Sequence, residues 1–111
     1  MSFLGCKAAD FHSVDTETFA QVITDTTVVR LDVRTQSEYA QGHIPGAMLI
    51  DVTQADFMQK AEQLLPKDKT IALYCRSGRR SKTAAQLLAK AGYQVIELNT
   101  GFNSWKGEIE L

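Results

Sequence analysis

Apolar positions along the chain fall into two alternating spacings, one of a helix and one of a strand. Phe19, Val22 and Ile23 lie three and four positions apart behind Asp15. The Asp15 carboxylate can accept from the unpaired first amides of a helix, so a short helix is predicted to start there. "VVRLDV" (28–33) follows as a strand with Val29, Leu31 and Val33 on one side. Thr35 to Glu38, "TQSE", has the spacing of a capping box and predicts a single helical turn, with Gly42 suited to the left-handed position beyond its end. "AMLIDV" (47–52) is a further strand, and Phe57, Met58, Ala61, Leu64 and Leu65 mark one face of a helix that Pro66 and the polar "KDK" stop. "TIALYC" (70–75) is apolar throughout, which suits a central parallel strand covered on both faces. Ala84, Leu87, Leu88 and Ala91 recur at helical spacing before Gly92, "QVIEL" (94–98) is another strand, and "FNSW" predicts a final helical turn. The alternation predicts a three-layer α/β domain with a mostly parallel sheet flanked by helices.

The 111 residues make one domain, with no repeat or linker, and the first ten residues are expected to be loosely ordered. Twelve basic against thirteen acidic residues leave a net charge of −1, which gives no case for nucleic acid or a membrane surface as partner. The charge is unevenly spread, because Lys69 to Ile96 holds six basic residues and no acidic one. Such a local field suits a small anionic ligand. Two cysteines, Cys6 and Cys75, are too few for a disulfide scaffold and lack zinc-site spacing, so a reducing, cytoplasmic setting without metal or cofactor is expected. "FLGC" faintly resembles a lipoprotein cleavage box but has no apolar segment upstream, and no apolar run is long enough to span a bilayer.

The chemistry concentrates in Tyr74 to Lys82, "YCRSGRRSK", where a strand gives way to a helix. Such a junction collects unpaired backbone N–H groups, and a glycine lets the chain curl around them. A thiol at the start of the curl meets amide dipoles, a helix macrodipole and arginine charges, all of which favour the thiolate. The curl is also an anion cradle, made of Arg76, Ser77, Gly78, Arg79, Arg80 and Ser81 around Cys75 as the reactive group. A strand-end cysteine taken alone is more often a buried structural residue. Three arginines and a lysine with no acid nearby in sequence are an odd setting for an inert thiol.

With "LDVRTQSEYAQGHIPGA" (31–47), "YCRSGRRS" and "GFNSW", the chain resembles the single-domain rhodaneses, a sulfurtransferase family, from about Val14 to Trp105. The last segment departs from the family pattern, which more often has a second glycine where Thr100 stands. The resemblance implies that Cys75 accepts a sulfane sulfur from thiosulfate or a persulfide donor, becomes a persulfide, and passes the sulfur to cyanide, a thiol or a persulfide-carrying protein. Phosphatases and arsenate reductases with a similar loop place an arginine six positions after the cysteine. Here the sixth position is Ser81 and Arg80 is the fifth, so the loop is one residue too short for that clamp. A regulatory module without activity is the remaining alternative, against which the intact cysteine and basic loop both argue.

The other polar candidates read as structural. "GHIPGA" makes His43 turn chemistry rather than a general base, and His12 has no partner pattern. Asp32, Arg34 and Glu38 suit an ion-pair network, with Asp32 or Glu38 offsetting the charge of Arg80 at the helix start. Arg76 and Arg79 are expected to ring the entrance, Phe102 and Trp105 to seal the last turn, and Cys6 to be a bystander.

Overall fold

In a computed structural model that describes residues 10–111, five strands form one sheet in the order β1-β5-β4-β2-β3, and every neighbouring pair is parallel. The strands are β1 (His12–Val14), β2 (Val29–Asp32), β3 (Met48–Leu49), β4 (Thr70–Tyr74) and β5 (Gln94–Leu98). The helices are α1 (Thr16–Val22), α2 (Gln36–Ala40), α3 (Phe57–Leu64) and α4 (Arg79–Lys90), followed by a 3₁₀ turn at Phe102–Ser104. Because all strands run the same way, the loops after β2, β4 and β5 gather at one edge of the sheet, where parallel α/β folds place their sites.

The side-chain alternation along β4 explains the three layers. Ile71, Leu73 and Cys75 face one cluster with Phe57, Ala61 and Leu65 from the α3 side and Ala84, Ala85 and Leu88 of α4. Ala72 and Tyr74 face the other, with Phe19 and Ile23 from the α1 side, Ile44 and Leu98. A strand buried on both faces has no room for polar side chains, and β4 has only Thr70, at its start. The all-parallel sheet sharpens the expectation of a mostly parallel one.

The caps act as the sequence chemistry requires. Asp15 accepts from the Thr18 amide at 2.9 Å, and Thr35 and Glu38 form the reciprocal capping box at α2. Other features differ from expectation. The strand expected over 47–52 shrinks to Met48–Leu49, because β3 lies at the sheet edge with a partner on one side alone. Leu64 and Leu87 are exposed and do not belong to the buried faces of their helices; Ala85 and Ala89 complete the α4 face instead. β1 was not expected at all, since "HSV" is too short and too polar to read as a strand; it pairs with β5 from the opposite sheet edge. Cys6 and the other residues before Asp10 lie outside the described residues. Among the described residues no helix is long and apolar enough to cross a membrane.

Candidate active site

β4 ends at Tyr74 on the central strand, and the chain then curls from Cys75 to Ser81 into the first turn of α4. Two contacts anchor the curl to the loop after β5: the amide of Phe102 donates to the Cys75 carbonyl at 2.8 Å, and that of Asn103 to the Arg76 carbonyl at 3.0 Å. Gly78 makes the turn possible. Its φ of 105° is one that side chains rarely allow, and a Cβ there would lie 2.0 Å from the Asn99 carbonyl oxygen. Gly101 meets the curl from the other side, where a Cβ would come within 2.3 Å of the Arg76 carbonyl oxygen.

The sulfur sits on the floor of this curl, with Cys75 only 1% exposed. The Gly78 amide donates to Sγ at 3.1 Å, and Sγ is 3.4 Å from the Ser81 hydroxyl. Burial pushes the thiol up, but the hydrogen bonds that the thiolate form would accept, from the Ser81 hydroxyl once turned to sulfur and from the Ser81, Gly78 and Ser77 amides, outweigh it, so Cys75 ionises below the ordinary thiol range. No side-chain cap competes for the amides at the start of α4, since its N-cap is Gly78, and no acid lies in its first turn. That leaves the N-terminal dipole of the helix directed at the sulfur.

The four cations between Tyr74 and Lys82 divide into two kinds. Arg76 and Arg79 are exposed, and their guanidinium groups make no hydrogen bond or ion pair among the described residues. Arg80 turns away to α2, donating through Nη1 and Nη2 to the two Glu38 oxygens at 2.8 and 2.9 Å. Lys82 is a staple: Nζ donates to the Gly78 carbonyl (3.1 Å), the Asn99 carbonyl (3.2 Å), Asn99 Oδ1 (3.0 Å) and Glu97 Oε2 (3.2 Å). Ser77 is exposed at the rim, whereas Ser81 is fully buried. A cleft of about 210 Å³ opens beside the curl, lined chiefly by Arg34, Glu38, Gln41, Arg76, Phe102 and Asn103.

Asp32 does not share in the Arg80 pair. It is fully buried and holds Arg34, whose Nε and Nη2 reach the Asp32 carboxylate at 2.7–3.1 Å while Nη2 also donates to the Gly42 carbonyl at 2.7 Å. The Arg34 guanidinium covers the Phe102 ring at 4.4 Å, and Phe102 in turn stacks on Tyr74. His43 is buried, stacked on Tyr39 at 3.7 Å and bridged through backbone and side chain to Glu110. Its ring partners, Tyr39 and Glu110, lie outside the curl. Trp105 packs edge-on against Phe19.

The Rhodanese-like domain family matches residues 15–108, nearly the whole of the described chain. The chain belongs to this family. Among rhodanese relatives, it is 35% identical over 96 residues to a sulfurtransferase of Allochromatium vinosum, covering 85% of this chain and 87% of that one. It is 36% identical over 89 residues to the thiosulfate sulfurtransferase GlpE of Pseudomonas fluorescens, covering 78% of each. Among solved structures, a rhodanese-like domain protein of Staphylococcus aureus superposes with a TM-score of 0.79 at 26% identity, over 91% of this chain and 98% of that one. The rhodanese curl here carries one part that sequence reasoning missed. Glu97, from β5, is fully buried and accepts from the Ser81 hydroxyl at 2.5 Å. The signal was present in "QVIEL", where strand alternation puts Glu97 on the buried side with Val95.

Proposed function

We propose that this protein is a sulfurtransferase that carries a sulfane sulfur on Cys75. The observation that carries the reading is the buried Sγ, which accepts a backbone N–H, ionises below the ordinary thiol range and has no histidine or carboxylate bonded to it among the described residues. The Cys75 thiolate attacks the outer sulfur of thiosulfate, a new S–S bond forms, and the old one breaks with its electron pair leaving on sulfite. The resulting persulfide is an anion, for which inward-facing amides are the matching partners. In the second half, cyanide or a thiolate attacks the outer sulfur, and the S–S bond breaks to restore the Cys75 thiolate. Neither half needs a metal or an organic cofactor. Arg76 and Arg79, free at the rim, attract the dianionic donor and the departing sulfite. The relatives named as sulfurtransferases support the reaction class, and the GlpE name supports thiosulfate as one donor.

Phosphate hydrolysis on the same scaffold is disfavoured, since Arg80 is occupied by Glu38 and Ser81, not arginine, stands six positions after Cys75. The deciding experiment is intact mass after incubation with thiosulfate. One cyanide-labile sulfur should add to the wild type and to Cys6→Ser, and none to Cys75→Ser. Full loading of the Cys75→Ser protein sinks the assignment.

A further inference from the structure

Ser81 has one hydroxyl proton and two groups that claim it. Its Oγ lies 3.4 Å from Cys75 Sγ and 2.5 Å from Glu97 Oε2. A carboxylate only accepts, so while Ser81 donates to Glu97 it can offer Cys75 nothing but a lone pair. That arrangement suits a neutral thiol, whose S–H donates to Ser81. A thiolate needs the reverse, with the Ser81 proton turned toward sulfur and Glu97 left to its other donors. Those donors are Ser13 of β1, on Oε1 at 2.5 Å, and Lys82, on Oε2 at 3.2 Å. From β4, the residue in register with Glu97 is the apolar Leu73.

We propose that Glu97 is a positioning residue that competes with Cys75 for the Ser81 proton and thereby sets how readily the nucleophile forms. The fold gives the competition its strength. Glu97 is fully buried, so water cannot replace a lost donor, and an under-satisfied buried carboxylate is costly. Every donor that relieves Glu97 therefore releases Ser81 to the sulfur. Ser13 and Lys82 are such donors, and they tie the state of the nucleophile to the edge strand and to the staple of the curl. The charged groups that face Cys75 are Arg80, which acts on it through space, and Lys82 and Glu97 reached through Ser81 and the curl. The direction of the effect is fixed: Glu97 holds the thiol back, and weakening its claim frees the thiolate. Replacing Glu97 by glutamine preserves the shape, while the amide can donate to Ser81 Oγ and leave that proton for sulfur.

The inference rests on Cys75 as the nucleophile, but its test reads ionisation and not sulfur transfer, so failure of one does not imply failure of the other. The measurement is the rate of Cys75 alkylation by iodoacetamide against pH, in the full chain with Cys6→Ser so that Cys75 is its one thiol. Glu97→Gln should lower the midpoint by about half a pH unit or more, which is roughly threefold more thiolate below the midpoint. Ser13→Val, which removes a donor from Glu97 at the sheet edge and touches neither Cys75 nor Ser81, should raise it; this arm stands even if the Glu97 variant does not fold. With Ser81→Ala in the background, Glu97→Gln should shift the midpoint by less than half as much. A Glu97→Gln midpoint at or above the parent value overturns the proposal, as does a Ser13→Val midpoint at or below it. A shift that persists at half its size or more without the Ser81 hydroxyl also overturns it, since the effect would then be one of charge alone.

Discussion

Arg79 and Arg80 are adjacent in the chain and carry the same charge, yet one faces solvent without a partner and the other is gripped by both oxygens of Glu38. Arg79→Ala should therefore leave the fold within about 0.5 kcal/mol of wild type, as exposed substitutions usually do. It should raise the KM for thiosulfate several-fold and flatten the salt dependence of turnover, because a screened rim charge acts chiefly on the approach of an anion. Arg80→Ala should instead cost about 1–3 kcal/mol, since it leaves Glu38 without its main partner. Denaturant melts beside kinetics at two ionic strengths separate the two. An early-melting Arg79→Ala with a normal Arg80→Ala would reverse the assignment. The difference was partly legible beforehand, because a cation at a helix start opposes the macrodipole and calls for an acid. The choice of Glu38 over Asp32 was not, as it depends on Arg34 taking Asp32 first.

At the scale of elements, the curl and α4 form a unit because Gly78 is both the tightest point of the turn and the N-cap of the helix. Gly78→Ala cannot be absorbed by a side-chain adjustment, since the obstacle is the Asn99 carbonyl and the backbone angle is itself unfavourable. We expect a loss of about 1–3 kcal/mol or more, together with loss of sulfur loading even where the protein remains folded. A Gly78→Ala protein that melts and loads like wild type would show that the curl tolerates another path. The strand-to-helix junction was legible from "TIALYC" and the helical spacing behind it. What escaped were parts that depend on contacts between distant segments. β1 is three residues whose pairing exists because β5 offers an edge, and Lys82 looked like one more charge for the ligand until its four acceptors were in place. The stretch without acids from Lys69 to Ile96 was correctly read as basic, yet Glu38 and Glu97 reach it through space and take up two of its cations.

Across the whole molecule, the Glu38–Arg80 pair links α2 to α4 and makes acid stability a test of that link. Hydrogen bonding from Arg80 holds the Glu38 carboxyl down at about 2, below its ordinary value of 4.5. A carboxyl depressed in the folded state adds stability above its unfolded value, and that contribution is lost as pH falls toward the folded one. The stability gap between wild type and Glu38→Gln should thus be full at pH 6, about 1–2 kcal/mol for a part-exposed pair, and shrink steadily from pH 4.5 toward pH 2. Urea melts at several pH values measure this, and a gap that stays constant down to pH 3 would mean the pair contributes no linkage. One further consequence lies in the sheet order. The partner of β1 is β5, so Ser13 meets Glu97 across 84 positions of chain. During synthesis β1 emerges with nowhere to dock until the chain has been extended to β5, 84 positions beyond Ser13 at Glu97. Such distant pairing slows folding, because the loop must close before the contact rewards it. Glu97 and its edge-strand donor Ser13 therefore meet only after β2, β3 and β4 have been made, so the surroundings of Cys75 are complete only once β5 has joined the sheet.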